Sequence, residues 1–289
     1  MDIFTVLLIQ PLANGLALAY KLLGQNMGIA IIGFSVFLRF ALNPLTKPYM
    51  QSMKKMREYS KELEKIKNRH KGDRQKLMQA QADFYKEKGI NPSAGCLPYL
   101  LQIVILIALF RVFTLVLSGD GDVAVKFNEF LYPTFKFAEN TLVNTQFLHL
   151  DITKPDVINI PGLSFPLPGV LLLLAAFLQF VSAKITAPYI SAEEKLAKQT
   201  EAKSDDIQVA MQSSMIYTFP IITILAGMSF PSGLALYWLV FSVFQTWQQY
   251  KTSGWGGLTP FLIRLGLVQL PDSNGKGNKN RGRSKSSRK

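Results

Sequence analysis

MQSSMIYTFPIITILAGMSFPSGLALYWLVFSVFQTWQQY, residues 211–250, is a run of 40 residues without one Asp, Glu, Lys or Arg. As a single helix it would be about 60 Å long. The hydrocarbon core of a bilayer is only about 30 Å thick. The run is therefore expected to fold back on itself. Phe230-Pro231-Ser232-Gly233 is the natural break, because proline removes a backbone donor and glycine allows a turn. Two spans result, 211–230 and 231–250.

Three further apolar runs precede this one. Residues 29–45 carry one charge, Arg39. Residues 96–117 carry one, Arg111, and residues 163–183 carry none. The expected fold class is an all-α polytopic membrane protein with five transmembrane helices. The N-terminal stretch 1–28 is long enough to span but is interrupted by Pro11, Asn14, Gly15 and Lys21. It is read as an amphipathic helix on the outer membrane surface, with a sixth span as its competitor. Only 18% of the 289 residues are charged, against about 25% in an ordinary soluble domain. That composition excludes a disordered chain. A single cysteine, Cys96, excludes a disulfide scaffold. His70 and His149 stand far apart in the sequence, so neither a metal site nor a cofactor is expected.

The net charge of +13 is unevenly spread. Residues 46–92 hold 13 Lys/Arg against 6 Asp/Glu, and residues 118–164 hold 3 against 6. Residues 184–212 hold 4 against 5, and residues 248–289 hold 9 against 1. The positive-inside rule puts the segment 46–92 and the tail 251–289 in the cytoplasm. The loop 118–162 is then outside, the loop 184–210 inside, and five spans run N-out and C-in. Within 46–92, helix-forming residues stop at Gly72, and Asp73 is a natural N-cap for a second helix. Apolar positions on both sides predict a cytoplasmic helical hairpin.

No nucleophile motif, phosphate loop or acidic cluster appears, so no enzymatic activity is expected. The spans contain no carboxylate, which argues against an ion-coupled carrier. Arg39 stands out. It lies eight residues before Lys47, about 12 Å along a helix. Either it snorkels towards the headgroups or it lines a wet cavity open to the cytoplasm. Ser35, one turn earlier, and Gln102 and Gln179 on other spans would complete such a cavity. Each is equally a candidate for an ordinary interhelical hydrogen bond. Tyr237 and Trp238 read as packing residues. Arg111, near the outer end of its span, reads as snorkelling outward.

These residues resemble the YidC/Oxa/Alb membrane protein insertase family in its bacterial form. The likeness is carried by Arg39 with Asn43-Pro44-Leu45-Thr46-Lys47, by Ser52-Met53-Lys54-Lys55-Met56, and by Asn91-Pro92-Ser93-Ala94-Gly95-Cys96-Leu97-Pro98. Leu101-Gln102 and Phe230-Pro231-Ser232-Gly233-Leu234-Ala235-Leu236-Tyr237-Trp238 complete it. The resemblance implies five helices around a hydrophilic groove open to the cytoplasm and lipid, in the bacterial plasma (inner) membrane. With only 28 residues before the first span, the large periplasmic domain of many relatives is not expected here, which is a departure from the family's pattern. Its groove residues fall on Arg39, Ser35, Gln102, Gln179 and Trp238. The implied function is insertion and folding of newly made membrane proteins. The implied partners are nascent membrane proteins, the ribosome, the Sec translocon, the signal recognition particle machinery and the lipid bilayer.

Two surfaces beyond the groove are candidates for partners. Met53, Lys54, Lys55 and Met56 lie on the hairpin, where the methionines offer an adaptable apolar face or close the hairpin's own seam. Arg281, Arg283, Lys285, Arg288 and Lys289 lie in the tail, which suits ribosomal RNA or anionic lipid. Two rival functions remain at this level. One is a membrane channel or carrier, and the other a membrane anchor that tethers ribosomes through the tail.

Overall fold

The structure is a computed structural model, and it describes residues 2–70, 72–91, 97–117, 122–138, 141–186 and 206–268. The tail residues Arg281, Arg283, Lys285, Arg288 and Lys289 lie outside them. So does most of the loop 184–210. Of Gln102, Met53, Lys54 and Met56 the backbone is described, and their side chains lie outside the description.

The described chain is mostly helical. A π-helical turn, Thr5–Ile9, leads into α1, Gln10–Leu22. Helix α2 runs without interruption over Met27–Glu58. Asn26 starts it, accepting from Ile29 N at 3.1 Å while its amide donates to Gln146 O at 2.7 Å. At 32 residues it is about 48 Å long, and Pro44 and Pro48 each remove a donor without ending it. The helix therefore continues from the apolar run into the hairpin. Tyr59 interrupts it, and α3 follows over Ser60–Arg69.

The return helix α4, Arg74–Glu87, begins where Asp73 accepts from Lys76 N. Gly72 makes the turn before it at φ 95°. Leu63, Phe84 and Ile90 form the hairpin's own small core, with Tyr59 edge-on to Phe84.

Four longer helices follow: α5 (Leu97–Leu117), α7 (Val170–Thr186), α8 (Asp206–Gly227) and α9 (Ser232–Ser253). The turn between α8 and α9 falls at residues 228–231, and Pro231 leads into α9. A short α6, Val123–Asn128, lies between α5 and α7, and α10, Thr259–Arg264, ends the described chain. Two helices, Thr5–Leu22 and Met27–Leu45, are long and apolar enough to cross a membrane. Shorter apolar helices are Ile103–Leu117, Val170–Ile185 and Ile216–Gly227.

The segment after α6 is not featureless. It forms two small antiparallel hairpins, β1 (Gln146–Phe147) with β2 (Leu150–Asp151), and β3 (Val157–Ile158) with β4 (Leu167–Pro168). The apolar run from 163 thus enters β4 first, and its helix starts at Val170. These hairpins cap one end of the helices. Gly233 N donates to Ile152 O and Ser232 N to Lys154 O, tying the cap to the start of α9.

The main core lies beneath this cap. Ile9, Leu12, Ala13, Leu16, Ala17 and Tyr20 recur every three or four residues and bury one face of α1. They pack with Phe34 of α2, Leu109 and Phe113 of α5, Phe127 of α6 and Ile152 of the cap. The other face of this segment exposes Ile3, Val6, Leu7, Leu18 and Leu22. It is therefore apolar on both sides, where a surface helix would be polar on one.

Candidate functional site around Arg39

Helix α2 sets Ser35 and Arg39 one turn apart. Ser35 is buried, and its hydroxyl donates back to Ile31 O within the same helix. Arg39 is half-buried and reaches across to α9. Its Nη2 donates to Gln248 Oε1 at 2.9 Å. Its guanidinium carbon lies 4.5 Å from the centre of the Phe241 ring. Tyr237 stands one turn before Phe241, with ring centres 6.2 Å apart. Positions 237, 241 and 248 repeat at four and seven residues, so one face of α9 receives the arginine.

The chemistry of this arrangement is unusual for a half-buried cation. Phe241 offers a ring face, and Gln248 offers a neutral oxygen. Among the described residues no carboxylate lies within ion-pair distance of Arg39. A guanidinium has five donors in a planar fork, matched to carboxylates. Among the described residues the charge is positioned by a ring face and a neutral amide oxygen and is not paired with a carboxylate.

The other expected groove residues are placed differently. Gln179, on α7, accepts from Thr223 Oγ1 on α8 at 2.9 Å. Trp238 is partly buried against the main core. Gln102 has its backbone in α5. A second polar line, which the sequence reading passed over, runs along α9 as Ser242, Thr246 and Gln249. Thr246 Oγ1 is within 2.7 Å of Ser242 O and 3.2 Å of Leu178 O on α7. Ser242 and Gln249 are buried, and the Ser242 hydroxyl has no hydrogen-bond partner among the described residues. Their spacing of four and three within an apolar helix was the available signal. Gln248 and Phe241 gave none, since nothing in sequence pairs them with Arg39.

On the hairpin, Lys55 Nζ lies 3.4 Å from Lys88 O and 3.2 Å from Gly89 O, the carbonyls that end α4. Ser52 Oγ donates to Asn91 O at 2.8 Å. A cation at a helix C-terminus satisfies orphan carbonyls and the helix dipole. Lys88 in turn sits over the Tyr59 and Phe84 rings. At the other end of the molecule Arg111 lies over the Phe4 ring, 5.4 Å from its centre.

Comparison with known proteins gives these features a context. The sequence pattern of the family described as 60Kd inner membrane protein matches residues 18–255. A membrane protein insertase YidC of Syntrophobacter fumaroxidans is 31% identical over 230 residues, covering 78% of this chain and 34% of the relative. One from Prosthecochloris aestuarii is 32% identical over 238 residues, covering 79% and 34%. One from Fusobacterium nucleatum is 32% identical over 225 residues, covering 78% of this chain and 85% of the relative. The chain thus spans about a third of the length of the first two and most of the third. With the family pattern matched from the middle of α1 to just beyond α9, the chain belongs to the 60Kd inner membrane protein family, that of the bacterial YidC insertases.

Proposed function

We propose that this protein inserts newly made membrane proteins into the bacterial inner membrane, using Arg39 as the electrostatic attractor of a groove open to the cytoplasm. The carrying observation is the half-buried Arg39, held by Gln248 and Phe241 with no carboxylate beside it among the described residues. The five spans are α2, α5, α7, α8 and α9, with the β-hairpin cap outside and the α3–α4 hairpin inside. Basic residues at 46–92 and 251–289 support that orientation. What supports five spans over six is the position of the N-terminal segment. Lys21 near the end of α1 bonds Phe135 O and Lys136 O in the turn between α6 and the cap. Phe4 at the other end meets Arg111, only six residues, or about 9 Å, from the outer end of α5. Both ends of the segment stay in the outer half.

The mechanism is physical. Each unsatisfied polar group of a substrate tail costs several kcal/mol in hydrocarbon. Water in the groove shortens that path. Arg39 draws an acidic tail inwards, and the low dielectric strengthens the attraction. The membrane potential, about 2.3 kcal/mol per charge per 100 mV, then pulls the tail out. The apolar segment of the substrate moves into lipid beside the spans. The family resemblance assigns Gln102, Gln179, Ser35 and Trp238 to the same groove; of these Ser35 bonds its own helix, Gln179 bonds Thr223 and Trp238 packs against the main core. The hairpin, through Met53, Lys54, Lys55 and Met56, and the basic tail receive the nascent chain and ribosome.

The test uses protein in liposomes and a single-span substrate whose translocated tail is acidic or neutral. Arg39→Lys is expected to keep most activity on both. Arg39→Ala is expected to fail on the acidic tail and spare the neutral one. Equal insertion of both tails by Arg39→Ala would refute the electrostatic role. No insertion by the intact protein would refute the insertase reading.

A further inference from the structure

The cap contains a hairpin whose composition does not suit water. From Val157 to Ala183 the sequence holds no charged residue. The first part is the β3–β4 hairpin and the second is α7. Along the hairpin Ile158, Ile160, Leu163 and Phe165 are exposed, Phe165 by 60%. The same exposed apolar character continues on α7 at Val170, Leu173, Leu174 and Phe177, the last by 61%. Two-residue strands do not hold a hairpin together in isolation, and an uncharged apolar tip in water is an association hazard. The base of this hairpin, by contrast, is firmly fixed. Gly169 N donates to Asp156 O, Leu172 N to Asp156 Oδ2, and Pro155 bridges to Pro231.

We propose that the β3–β4 hairpin is a lipid anchor, with its apolar tip seated at the headgroup–acyl boundary of the outer leaflet. The occupant is lipid because exposed apolar positions run on along the chain from the hairpin into α7 without an intervening charge, in a chain of an inner membrane family. The absence of charge from Val157 to Ala183 suits that depth, where apolar side chains are buried among acyl chains. The anchor rests on the outward orientation proposed above. It would fix the height of the cap, and with it the starts of α7 and α9.

The experiment uses the full chain with Cys96→Ser and one new cysteine, Ser164→Cys, Lys154→Cys or Phe177→Cys, labelled with an environment-sensitive fluorophore. Vesicles of phosphatidylcholine and phosphatidylglycerol carry nitroxide lipids as one quencher, and iodide on both faces is the other. The label at 164 is expected to be quenched several-fold more by headgroup-level nitroxide than the label at 154. Iodide should show the reverse. Phe165→Glu should move the 164 label towards iodide. Quenching at 164 by iodide alone would place the tip in water and overturn the anchor. Quenching by neither agent would mean a protein contact and overturn it equally. If the label at 177 escapes mid-chain nitroxide, the membrane placement of α7 fails first, which separates that failure from one confined to 164.

Discussion

Asp156→Ala is expected to destabilise the protein by about 2 kcal/mol, although residue 156 lies far from Arg39 in the fold. Its side chain is 2% exposed, and Oδ2 accepts from the Leu172 amide at 2.8 Å. Leu172 is fully buried, so removing the acceptor strands a donor. A buried donor left unpaired costs about 1–3 kcal/mol. The same contact viewed as a helix N-cap is worth about 0.5–2 kcal/mol. These describe one interaction and do not add. Asp156→Asn keeps an acceptor and loses the charge at the helix N-terminus, worth about 0.3–1 kcal/mol. At about 2–4 °C per kcal/mol for a chain of this general size, Ala should lower the midpoint by roughly 4–8 °C. Asn should lower it by about 1–4 °C. Thermal unfolding in detergent, followed by circular dichroism, measures both. Hydrogen exchange should show Leu172 losing protection in the Ala variant. A midpoint for Ala within error of wild type, or an Asn variant as damaged as Ala, would refute the capping account.

Gln248→Leu removes the neutral acceptor of Arg39 while keeping bulk. A hydrogen bond to a charged group is worth about 1.5–3 kcal/mol, so insertion of acidic-tailed substrates should fall by about tenfold or more and that of neutral ones little. An insertion assay with paired tails checks this. On the hairpin, Ser52→Ala together with Lys55→Ala should loosen the end of α4, read as faster hydrogen exchange at residues 86–90. Unchanged exchange would mean that Asn91 and Gly89 hold without them. Stability of the cap should also depend on acid. Burial pushes Asp151 up, but the Thr153 hydroxyl and amide donate to its Oδ1 and outweigh that, holding the carboxyl below its ordinary range. A depressed folded-state value stabilises the protein above the ordinary pKa and loses that stabilisation as pH falls through the lowered value. Melting below about pH 4 should therefore steepen in wild type and flatten in Asp151→Asn.

What could be read in the sequence is local. Asp73 sits directly before its helix and caps it, as the N-cap rule requires. Arg39 was visible because a lone charge in an apolar run is costly wherever it lands. The break at Phe230-Pro231-Ser232-Gly233 was visible because proline and glycine act on their own backbone. Their partners were not visible. Gln248 is 209 residues from Arg39, and its neutral amide carries no signal of its own. Asp156 caps α7 from 16 residues before Leu172, across a hairpin. The position directly before α7 is Gly169, which has no side chain to cap with. A Cβ there would overlap the Asp156 carboxylate. Glycine is present because the acceptor comes from elsewhere. Asp156 serves both elements, its backbone carbonyl accepting from Gly169 N at the base of the hairpin and its carboxylate starting α7, so the apolar run that reads as one span is physically two objects. One is a helix. The other is the exposed apolar tip of the β3–β4 hairpin, and Asp156 is the residue to which both are fastened.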